Sequence, residues 1–325
     1  MSDTSRTSSI INHQSSIILC PGQGAQHVGM GKAWFDASPV AKQTLLAADE
    51  ALGIKLSELC FAGPEEALGK TDIAQAAIYT VSVASYLGMK ERGLLNEPVA
   101  TAGLSLGEFT ALHLAGAFDF LTGLKLVRLR GQAMQDAADA SRGSMVALIG
   151  ADEEQAVALC KKTLETGPGD EVLVPANFNC PGQIVISGSA TACERSLAVA
   201  SEMGLRATAL KVAGAFHSPL MQPAADRLSA ALQQVQWSPL KATVISNVTF
   251  APHDNDPASI KRRLVEQLTS PVRWGQSMTT MLAMHPPASA RYIELAPNKV
   301  LSGLMRRIDK AVKVENVSEP IAGQG

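Results

Sequence analysis

A five-residue string between two glycines constrains this chain more than any other feature of its sequence. Residues 103–107 read Gly-Leu-Ser-Leu-Gly and lie between a short apolar run, 99–102, and a helix-forming run, 108–117. Small flanking residues allow so tight a backbone turn that the Ser105 oxygen stands clear at the start of a helix. The order of strand, turn and helix predicts a nucleophile elbow, and a helix-capping serine in a plain turn is the alternative.

A second glycine-rich turn follows the first apolar run of the chain. Residues 16–19 predict a buried strand, which ends at once in Cys-Pro-Gly-Gln-Gly-Ala-Gln, residues 20–26. The glycines beside Gln23 allow backbone amides to approach a ligand closely, so this turn could supply one donor to a developing negative charge. The amide of Leu106, directly after the serine, could supply another. A plain strand-to-helix connection is the competing interpretation.

The order of segments predicts an α/β protein in two parts. From about Gly143 the pattern is βαββαβ, the order of a ferredoxin-like unit, with Asp152 and Gln155 spaced as a capping box. The predicted strands are 144–149, 171–176, 183–187 and 206–212, and the second helix is 191–203. The flanking segments, which include a strand at 291–295 and a helix at 300–308, indicate a parallel-sheet core.

The predicted boundaries follow from that division. The predicted parts are a tail at 1–15, a discontinuous main domain at 16–142 and 213–317, a small domain at 143–212 and a tail at 318–325. Several helices are expected from about Gly31 to Arg92, and Thr71 or Asp72 could cap the one that carries Gln75.

Composition excludes several kinds of partner. The 325 residues are 46% hydrophobic and 18% charged, which allows a substantial buried core. The net charge of -2 and the scattered basic residues exclude the basic stripe of a nucleic-acid-binding protein. Residues 1–16 lack the apolar region of a signal peptide, and no segment has the apolar length of a membrane span, which predicts a cytoplasmic protein that does not bind membranes. The five cysteines form no CxxC pair, so we expect buried, reduced thiols and no metal site.

An elbow serine needs a base, because its hydroxyl is a poor nucleophile until its proton is removed. His217 follows the end of the small domain, where a cleft between the two parts is expected, and His27 could line the same site. The other four histidines are less suitably placed: His13 in the tail, His113 on a packed helix, and His253 and His285 in loops. Any single histidine is more often a satisfied polar loop residue, and only its combination with the elbow favours His217.

Five separate segments resemble the malonyl-CoA:acyl carrier protein transacylase family in order and spacing. They are residues 21–26, residues 103–107, Arg130-Gly131, Ala215-Phe216-His217-Ser218 and Asn298-Lys299-Val300-Leu301. The resemblance extends over about residues 16–308. It implies an α/β-hydrolase-like domain with an inserted ferredoxin-like small domain, in agreement with the order of segments described above.

The resemblance also implies a role for individual residues. Ser105 would be the acylated nucleophile and His217 the general base and acid, and the backbone amides of Gln23 and Leu106 would form the oxyanion hole. The family uses a dyad, in which a backbone carbonyl at the position of Gln267 orients the histidine. This removes the need for an aspartate partner, which the sequence alone does not nominate.

Arg130 would determine the choice of acyl group. By themselves, Arg128 and Arg130 would be interpreted as solvated helix charges. The resemblance changes that interpretation for Arg130 only, because a guanidinium can hold the free carboxylate of a malonyl group through two parallel hydrogen bonds. Phe216 resembles the form associated with malonyl units. Leu104 stands where many members have histidine, and we expect its side chain to point away from the chemistry.

Three further residues resemble a family segment that borders the cleft on the small domain; they are Asn177, Asn179 and Gln183. The implied reaction is ping-pong transfer of malonyl from malonyl-CoA to the phosphopantetheine thiol of acyl carrier protein, in fatty-acid or polyketide synthesis. The length of the chain favours a free-standing enzyme, and the reaction needs no bound cofactor. A monomer is expected. One alternative is a serine esterase or thioesterase of the α/β-hydrolase kind, against which Arg130 counts. The other is a non-catalytic carrier-protein docking module, against which the intact Ser105 and His217 count.

Overall fold

The computed structural model describes residues 15–320, and all bounds refer to that range. The strands are β1 (Ser15–Cys20), β2 (Ala100–Gly103), β3 (Gly143–Ile149), β4 (Leu173–Cys180), β5 (Gln183–Ser189), β6 (Arg206–Ala209), β7 (Thr243–Val244), β8 (Ala290–Leu295) and β9 (Val314–Val317). The α-helices are α1 (Lys32–Ala37), α2 (Pro39–Leu52), α3 (Leu56–Ala62), α4 (Glu65–Gly69), α5 (Thr71–Glu91), α6 (Gly107–Leu114), α7 (Phe120–Ser141), α8 (Glu153–Glu165), α9 (Ala190–Glu202), α10 (Gln222–Gln233), α11 (Pro257–Thr269), α12 (Trp274–Met284) and α13 (Val300–Ile308). A 3-10 helix, Pro219–Met221, precedes α10.

A parallel sheet carries the elbow. Its strands lie in the order β7-β2-β1-β8-β9, and all of its pairings are parallel. The central strand β1 is apolar from residue 17 to residue 20, in keeping with the cover on both of its faces: Ile18 belongs to one hydrophobic core, and Ile17 and Leu19 belong to another. The register pairs Cys20 with Gly103, so the glycine-rich turn after β1 and the elbow after β2 meet at the same edge of the sheet.

An antiparallel sheet forms the second part of the structure. Its strands lie in the order β4-β5-β3-β6, and α8 and α9 cover one face with a third hydrophobic core. The predicted capping box is present, since Asp152 and Gln155 exchange both hydrogen bonds at the start of α8. β4 begins and ends later than predicted and carries Pro175 at a register shift, where a missing amide does least harm to the ladder. β6 ends at Ala209, three residues before the predicted end.

Backbone hydrogen bonds join β4 of the antiparallel sheet to the segment that precedes α12. Val272, which precedes α12, donates from its amide to the Ala176 carbonyl (2.8 Å), and its carbonyl accepts from the Phe178 amide (2.9 Å). Beside these bonds Arg273 forms an ion pair with Glu153 (3.0 Å). These contacts fix β4 at the edge of the parallel-sheet part, so that a cleft forms between β4 and the elbow.

Several local predictions were wrong in detail. Neither Thr71 nor Asp72 caps α5, because the helix begins at Thr71 itself and Lys70 is its N-cap; Asp72 instead pairs with Arg128 (2.8 Å). The helix after the elbow stops at Leu114, short of Gly116, whose φ of 89° does not continue a helix. The strand β9 was not predicted.

The predicted tails are slightly too long. Ser15 belongs to β1, and the Ser318 hydroxyl donates to the Asn298 carbonyl (2.6 Å), so both residues are attached to the main part of the structure. The remainder of the tail predictions, and His13, lie largely outside the described residues. The five cysteines are free and buried, as predicted. Between residues 15 and 320, no helix is long and apolar enough to cross a membrane.

Candidate active site

The elbow is a strained turn that two glycines make possible. Ser105 has a φ of 53°, in the left-handed region that side chains other than glycine rarely adopt. A Cβ atom at position 103 would lie 1.9 Å from the Gly107 backbone, and one at position 107 would lie 2.1 Å from the Cys20 carbonyl oxygen. Only glycine fits at either position. The string 103–107 thus has the geometry of an elbow, and its serine precedes the first turn of α6.

The fold brings Ser105 and His217 together from positions 112 residues apart. The Ser105 Oγ atom lies 2.8 Å from His217 Nε2, and His217 Nδ1 lies 2.7 Å from the Gln267 carbonyl oxygen. A carbonyl only accepts hydrogen bonds, so Nδ1 carries the hydrogen and Nε2 is free to accept the serine proton. His217 is also in the left-handed region, with a φ of 58°, so both members of the pair are held in a strained backbone conformation.

The electrostatic surroundings keep His217 neutral. Burial lowers the pKa of His217 to about 4, with the positive charge of Arg130 acting in the same direction and the Gln267 carbonyl acting against both. The side chain is 4% exposed. At neutral pH the imidazole is therefore an unprotonated base beside the serine hydroxyl.

Arg130 is a buried cation whose hydrogen-bond partners, among the described residues, include no carboxylate. From α7 it donates to the Gln75 Oε1 atom (2.8 Å), to Ser105 Oγ (3.0 Å) and to Gln267 Oε1 (2.9 Å), which are all neutral acceptors. Among residues 15–320, no carboxylate lies within 4.0 Å of its guanidinium, and its Nε atom has no acceptor. Burial lowers the pKa of Arg130 to about 10, and the more distant charge of Glu108 opposes this.

A buried guanidinium without a counter-ion is an anion-binding feature, because a carboxylate that reaches it gains two charge-assisted hydrogen bonds. The anion would lie next to the Ser105 oxygen. Arg128 differs in both respects, since it is partly exposed and pairs with Asp72. The structure therefore separates the two arginines that composition and spacing alone treated alike.

A cavity of about 350 Å³ opens over the serine and the histidine. Of the residues singled out from the sequence, Gln23, Asn177 and Phe216 line it. Leu104 also lines it, while its side chain packs against the hydrophobic core that contains Cys180 and Leu301. The remaining walls are largely apolar and include Met134, Met145, Val185, Leu210 and Val212.

Two of the cleft residues suggested by resemblance do not line this cavity. Asn179 is outside the lining, and the Gln183 Oε1 atom accepts a hydrogen bond from Arg307 (3.3 Å) on α13. His27 is also outside the lining, with its Nδ1 atom 3.4 Å from the Ala25 carbonyl oxygen. A larger groove of about 750 Å³ between α7 and α10 contains none of the predicted site residues.

Two backbone amides remain free near the serine. The amides of Gln23 and Leu106 have no acceptor among the described residues. Leu106 is the N-cap of α6, where backbone amides have no partner within the helix. The turn that carries Gln23 packs against the elbow so closely that a Cβ atom on Gly22 would lie 2.3 Å from the Leu104 carbonyl oxygen.

A buried polar cluster under the elbow was missed. Glu108 on α6 accepts from His253 Nε2 (2.7 Å), and both side chains are fully buried. Asn247 accepts from the Ser105 amide (2.7 Å) and donates to the Gly103 carbonyl oxygen (2.7 Å), which braces the elbow from both sides. His253 lies in a loop, as predicted, but its burial beside Glu108 was not predicted. An acidic residue directly after the elbow was the available signal.

No metal site accompanies these residues in the part of the chain that the structure describes. There, no group of three or more His, Cys, Asp and Glu side chains is arranged to hold an ion. The site thus consists of a serine, a neutral histidine, a buried arginine and two free amides, which together suit acyl transfer through a serine ester.

Comparison with known proteins agrees with this chemistry. The acyl transferase domain family matches residues 17–323. A malonyl CoA-acyl carrier protein transacylase of Bacillus subtilis is 43% identical over 303 residues, covering 93% of each chain. A crystal structure of malonyl-CoA:acyl carrier protein transacylase from Xanthomonas oryzae has a TM-score of 0.88 at 39% identity, covering 95% of this chain and 96% of that one.

A further solved structure contains a type II PKS acyl-carrier protein in complex with its malonyl-transacylase, and has a TM-score of 0.88 at 35% identity, covering 94% of this chain and 96% of that one. The mixed architecture of a parallel and a separate antiparallel sheet is thereby confirmed, as is the assignment to acyltransferases. The chain belongs to the malonyl-CoA:acyl carrier protein transacylase family, as its five separate segments predicted.

Proposed function

We propose that this enzyme transfers a malonyl group from malonyl-CoA to the phosphopantetheine thiol of an acyl carrier protein, through an ester on Ser105. The names of its relatives support the reaction, and the solved complex of a malonyl-transacylase with an acyl-carrier protein supports the partner. One observation carries the choice of acyl group. The buried guanidinium of Arg130 has no carboxylate partner within residues 15–320, and it lies 3.0 Å from the serine oxygen.

In the first half-reaction, His217 Nε2 takes the Ser105 proton as Oγ attacks the thioester carbonyl carbon. Negative charge develops on the carbonyl oxygen, and the free amides of Gln23 and Leu106 are the proposed donors to it. The imidazolium that forms keeps its Nδ1 hydrogen bond to the Gln267 carbonyl. When the carbon–sulfur bond breaks, His217 returns the proton to the departing thiolate, and malonyl-Ser105 and coenzyme A result.

The second half-reaction runs the same steps in the other direction. His217 takes the proton of the carrier thiol, the thiolate attacks the ester carbonyl, and the same two amides stabilise the oxyanion. The proton then passes to Ser105 Oγ as the ester bond breaks. No bound cofactor is required in either step, because base, nucleophile and oxyanion donors all belong to the chain.

Arg130 is the proposed determinant of malonyl over acetyl. A carboxylate on the acyl group exchanges water for two charge-assisted hydrogen bonds from a guanidinium that is otherwise surrounded by neutral acceptors. An acetyl group has no carboxylate and therefore forms no such hydrogen bonds with the guanidinium. Phe216 and Asn177, which line the cavity, are proposed to shape the space around the acyl group, whereas Asn179 and Gln183 have no supporting contact with it.

The wider architecture is proposed on strand order. Numbered from its own first strand, the antiparallel sheet has the order 2-3-1-4, which supports a ferredoxin-like small domain at about 143–212. The strand, elbow and helix at Ser105 support an α/β-hydrolase-like main domain made of the two flanking segments. We further propose that the enzyme acts as a cytoplasmic monomer.

The test is to follow the fate of the malonyl group. The protein is incubated with malonyl-CoA with and without holo acyl carrier protein, and malonyl-carrier and free malonate are quantified by mass spectrometry. A transferase yields malonyl-carrier in amounts that depend on carrier, with little malonate. Release of malonate at a rate that carrier does not change would identify an esterase, and carrier binding without any acylation would identify a docking module.

A further inference from the structure

A fully buried carboxylate lies under the elbow, and the proposed reaction does not use it. Glu108 is 0% exposed on α6, and neither it nor its partner His253 lines the cavity. A buried charge is costly unless it is fully hydrogen-bonded, so its presence directly behind the nucleophile calls for a reason.

Each oxygen of Glu108 has a fixed set of donors. Oε1 accepts from His253 Nε2 (2.7 Å), while Oε2 accepts from Gln267 Nε2 (2.6 Å) and from the Asn247 amide (3.2 Å). The oxygens of a carboxylate only accept hydrogen bonds. Glu108 therefore requires that the Gln267 side chain turn its nitrogen, and not its oxygen, toward α6.

The orientation of the Gln267 side-chain amide determines whether the Arg130 guanidinium faces a hydrogen-bond acceptor or a donor. With its nitrogen toward Glu108 and the Ser105 carbonyl (3.0 Å), its oxygen is directed at the guanidinium and accepts from Arg130 (2.9 Å). The reverse orientation would set the NH₂ group of Gln267 against a guanidinium that can only donate. One amide thus joins a buried anion on one side to a buried cation on the other.

The orientation of the Arg130 guanidinium depends on the Gln267 side-chain amide. Within residues 15–320 no carboxylate holds the guanidinium, which also lies over the Phe109 ring, 5.5 Å from its centroid. Its hydrogen bonds go to Gln75, Gln267 and Ser105, and the bond to Ser105 must change when the serine is acylated. The bonds to the two glutamine side chains are then the constant ones. Of these two glutamines, Gln267 is the one in hydrogen-bond contact with Glu108.

We propose that Glu108, held in place by His253, is a positioning residue for substrate choice: it fixes the Gln267 amide, whose oxygen aims Arg130 at the malonyl carboxylate. The inference rests on the proposed function, since it assigns a support to the residue that selects malonyl. It adds two residues that touch neither substrate nor the reacting atoms.

The test compares acylation of Ser105 by malonyl-CoA and by acetyl-CoA in single-turnover experiments. Glu108→Gln keeps the shape of the side chain but removes its charge and its acceptor-only character. Malonyl acylation should fall about tenfold and acetyl acylation less than about threefold, because the lost bond supports only the arginine that meets a carboxylate. The ratio of the two rates therefore falls, which a general loss of folded enzyme would not cause.

Glu294→Gln is the matched control. Glu294 is also 0% exposed and accepts from the Leu301 amide (2.7 Å) and the Ser302 amide (2.8 Å) at the start of α13, away from the cleft. The same isosteric change there should leave the malonyl-to-acetyl ratio as in the wild type. His253→Leu removes a hydrogen-bond donor to Glu108 but leaves the Glu108 carboxylate in place, and it should lower the malonyl-to-acetyl ratio about threefold. This variant replaces Glu108→Gln in the test if Glu108→Gln folds poorly.

A double-mutant cycle tests whether Glu108 affects malonyl acylation through Arg130. In an Arg130→Ala background, Glu108→Gln should change malonyl acylation less than about twofold, because the residue through which it acts is gone. Equal losses for both acyl groups, or an undiminished loss in that background, would overturn the inference. If wild-type enzyme is malonylated selectively while Glu108→Gln keeps its ratio, only this inference fails; if wild-type enzyme is not malonylated, the proposed function fails as well.

Discussion

Acylation of Ser105 should remain fast at a pH at which an ordinary histidine would have stopped acting as a base. Only neutral imidazole can take the serine proton, and burial together with Arg130 lowers the pKa of His217 to about 4. At pH 5 a group with that pKa is about 90% neutral, whereas one with the usual pKa of about 6.5 is about 3% neutral. The two cases differ about thirtyfold in rate at this pH.

The assay is a single-turnover measurement of malonyl-enzyme formation between pH 4 and 8, quenched in acid and read by intact-mass spectrometry. Subsaturating malonyl-CoA is used, because kcat/KM reports the pKa of the free enzyme. The rate should be constant down to about pH 5 and half-maximal near pH 4. A midpoint near 6.5 would refute the reasoning that burial keeps His217 neutral.

One variant tests the causes of the shift separately. Arg130→Ala removes the second of the two effects that lower the pKa of His217 and leaves burial, the larger one, in place. Its midpoint measured with acetyl-CoA should therefore lie above that of the wild type but below about 6.5. Arg128→Ala, which removes a charge that is paired with Asp72, should leave the midpoint unchanged.

Three further outcomes follow from the same geometry. Arg130→Ala should lower malonyl acylation at least about a hundredfold relative to acetyl acylation, and Arg128→Ala should not; equal ratios in steady-state competition between the two thioesters would contradict this. Gly103→Ala should unfold or inactivate the enzyme, because the new Cβ atom would lie 1.9 Å from the Gly107 backbone. Gly303→Ala, in open space on α13, should instead raise the free energy of unfolding by about 0.5–1 kcal/mol in urea titrations. His217 should make the protein less stable by about 3 kcal/mol as pH falls from about 6.5 to 4, since the unfolded chain takes up the proton first, and His217→Gln should flatten that part of the stability profile.

The elbow could be predicted from sequence because its causes are local. Glycines at 103 and 107 are required by contacts with the turn itself and with the end of β1, and the apolar run before them forms β2, which is buried throughout. The capping box at Asp152 and the helix over 300–308 were likewise set by neighbouring residues, and the structure reproduces both.

Contacts between distant segments could not be derived in this way. His217 was favoured only in combination with the elbow, and Gln267 was assigned only through the family resemblance, since nothing local in either predicts a partner more than 100 residues away. Glu108 belonged to a predicted helix and His253 to a predicted loop, and neither assignment indicated that the two side chains are buried together. Their burial depends on how α6 is rotated and on how the chain after β7 returns beneath the elbow.

The position of Leu104 in the cavity lining could not be derived from the sequence either. An elbow turns the serine side chain outward, but the side chain before it is directed by whatever packs beside it, and here the first glycine-rich turn approaches within contact of the Leu104 carbonyl. Leu104 consequently lies in the cavity wall beside the serine. Sequence spacing specifies the tight turn without specifying its neighbours.

The central claim, a malonyl ester on Ser105, is tested most directly by intact-mass spectrometry of wild type and Ser105→Ala after incubation with malonyl-CoA. Wild-type enzyme should gain the mass of one malonyl group, peptide mapping should locate it on Ser105, and added holo acyl carrier protein should remove it. Ser105→Ala should gain nothing. An equal adduct on Ser105→Ala, or a wild-type enzyme that never acquires one, would contradict the account.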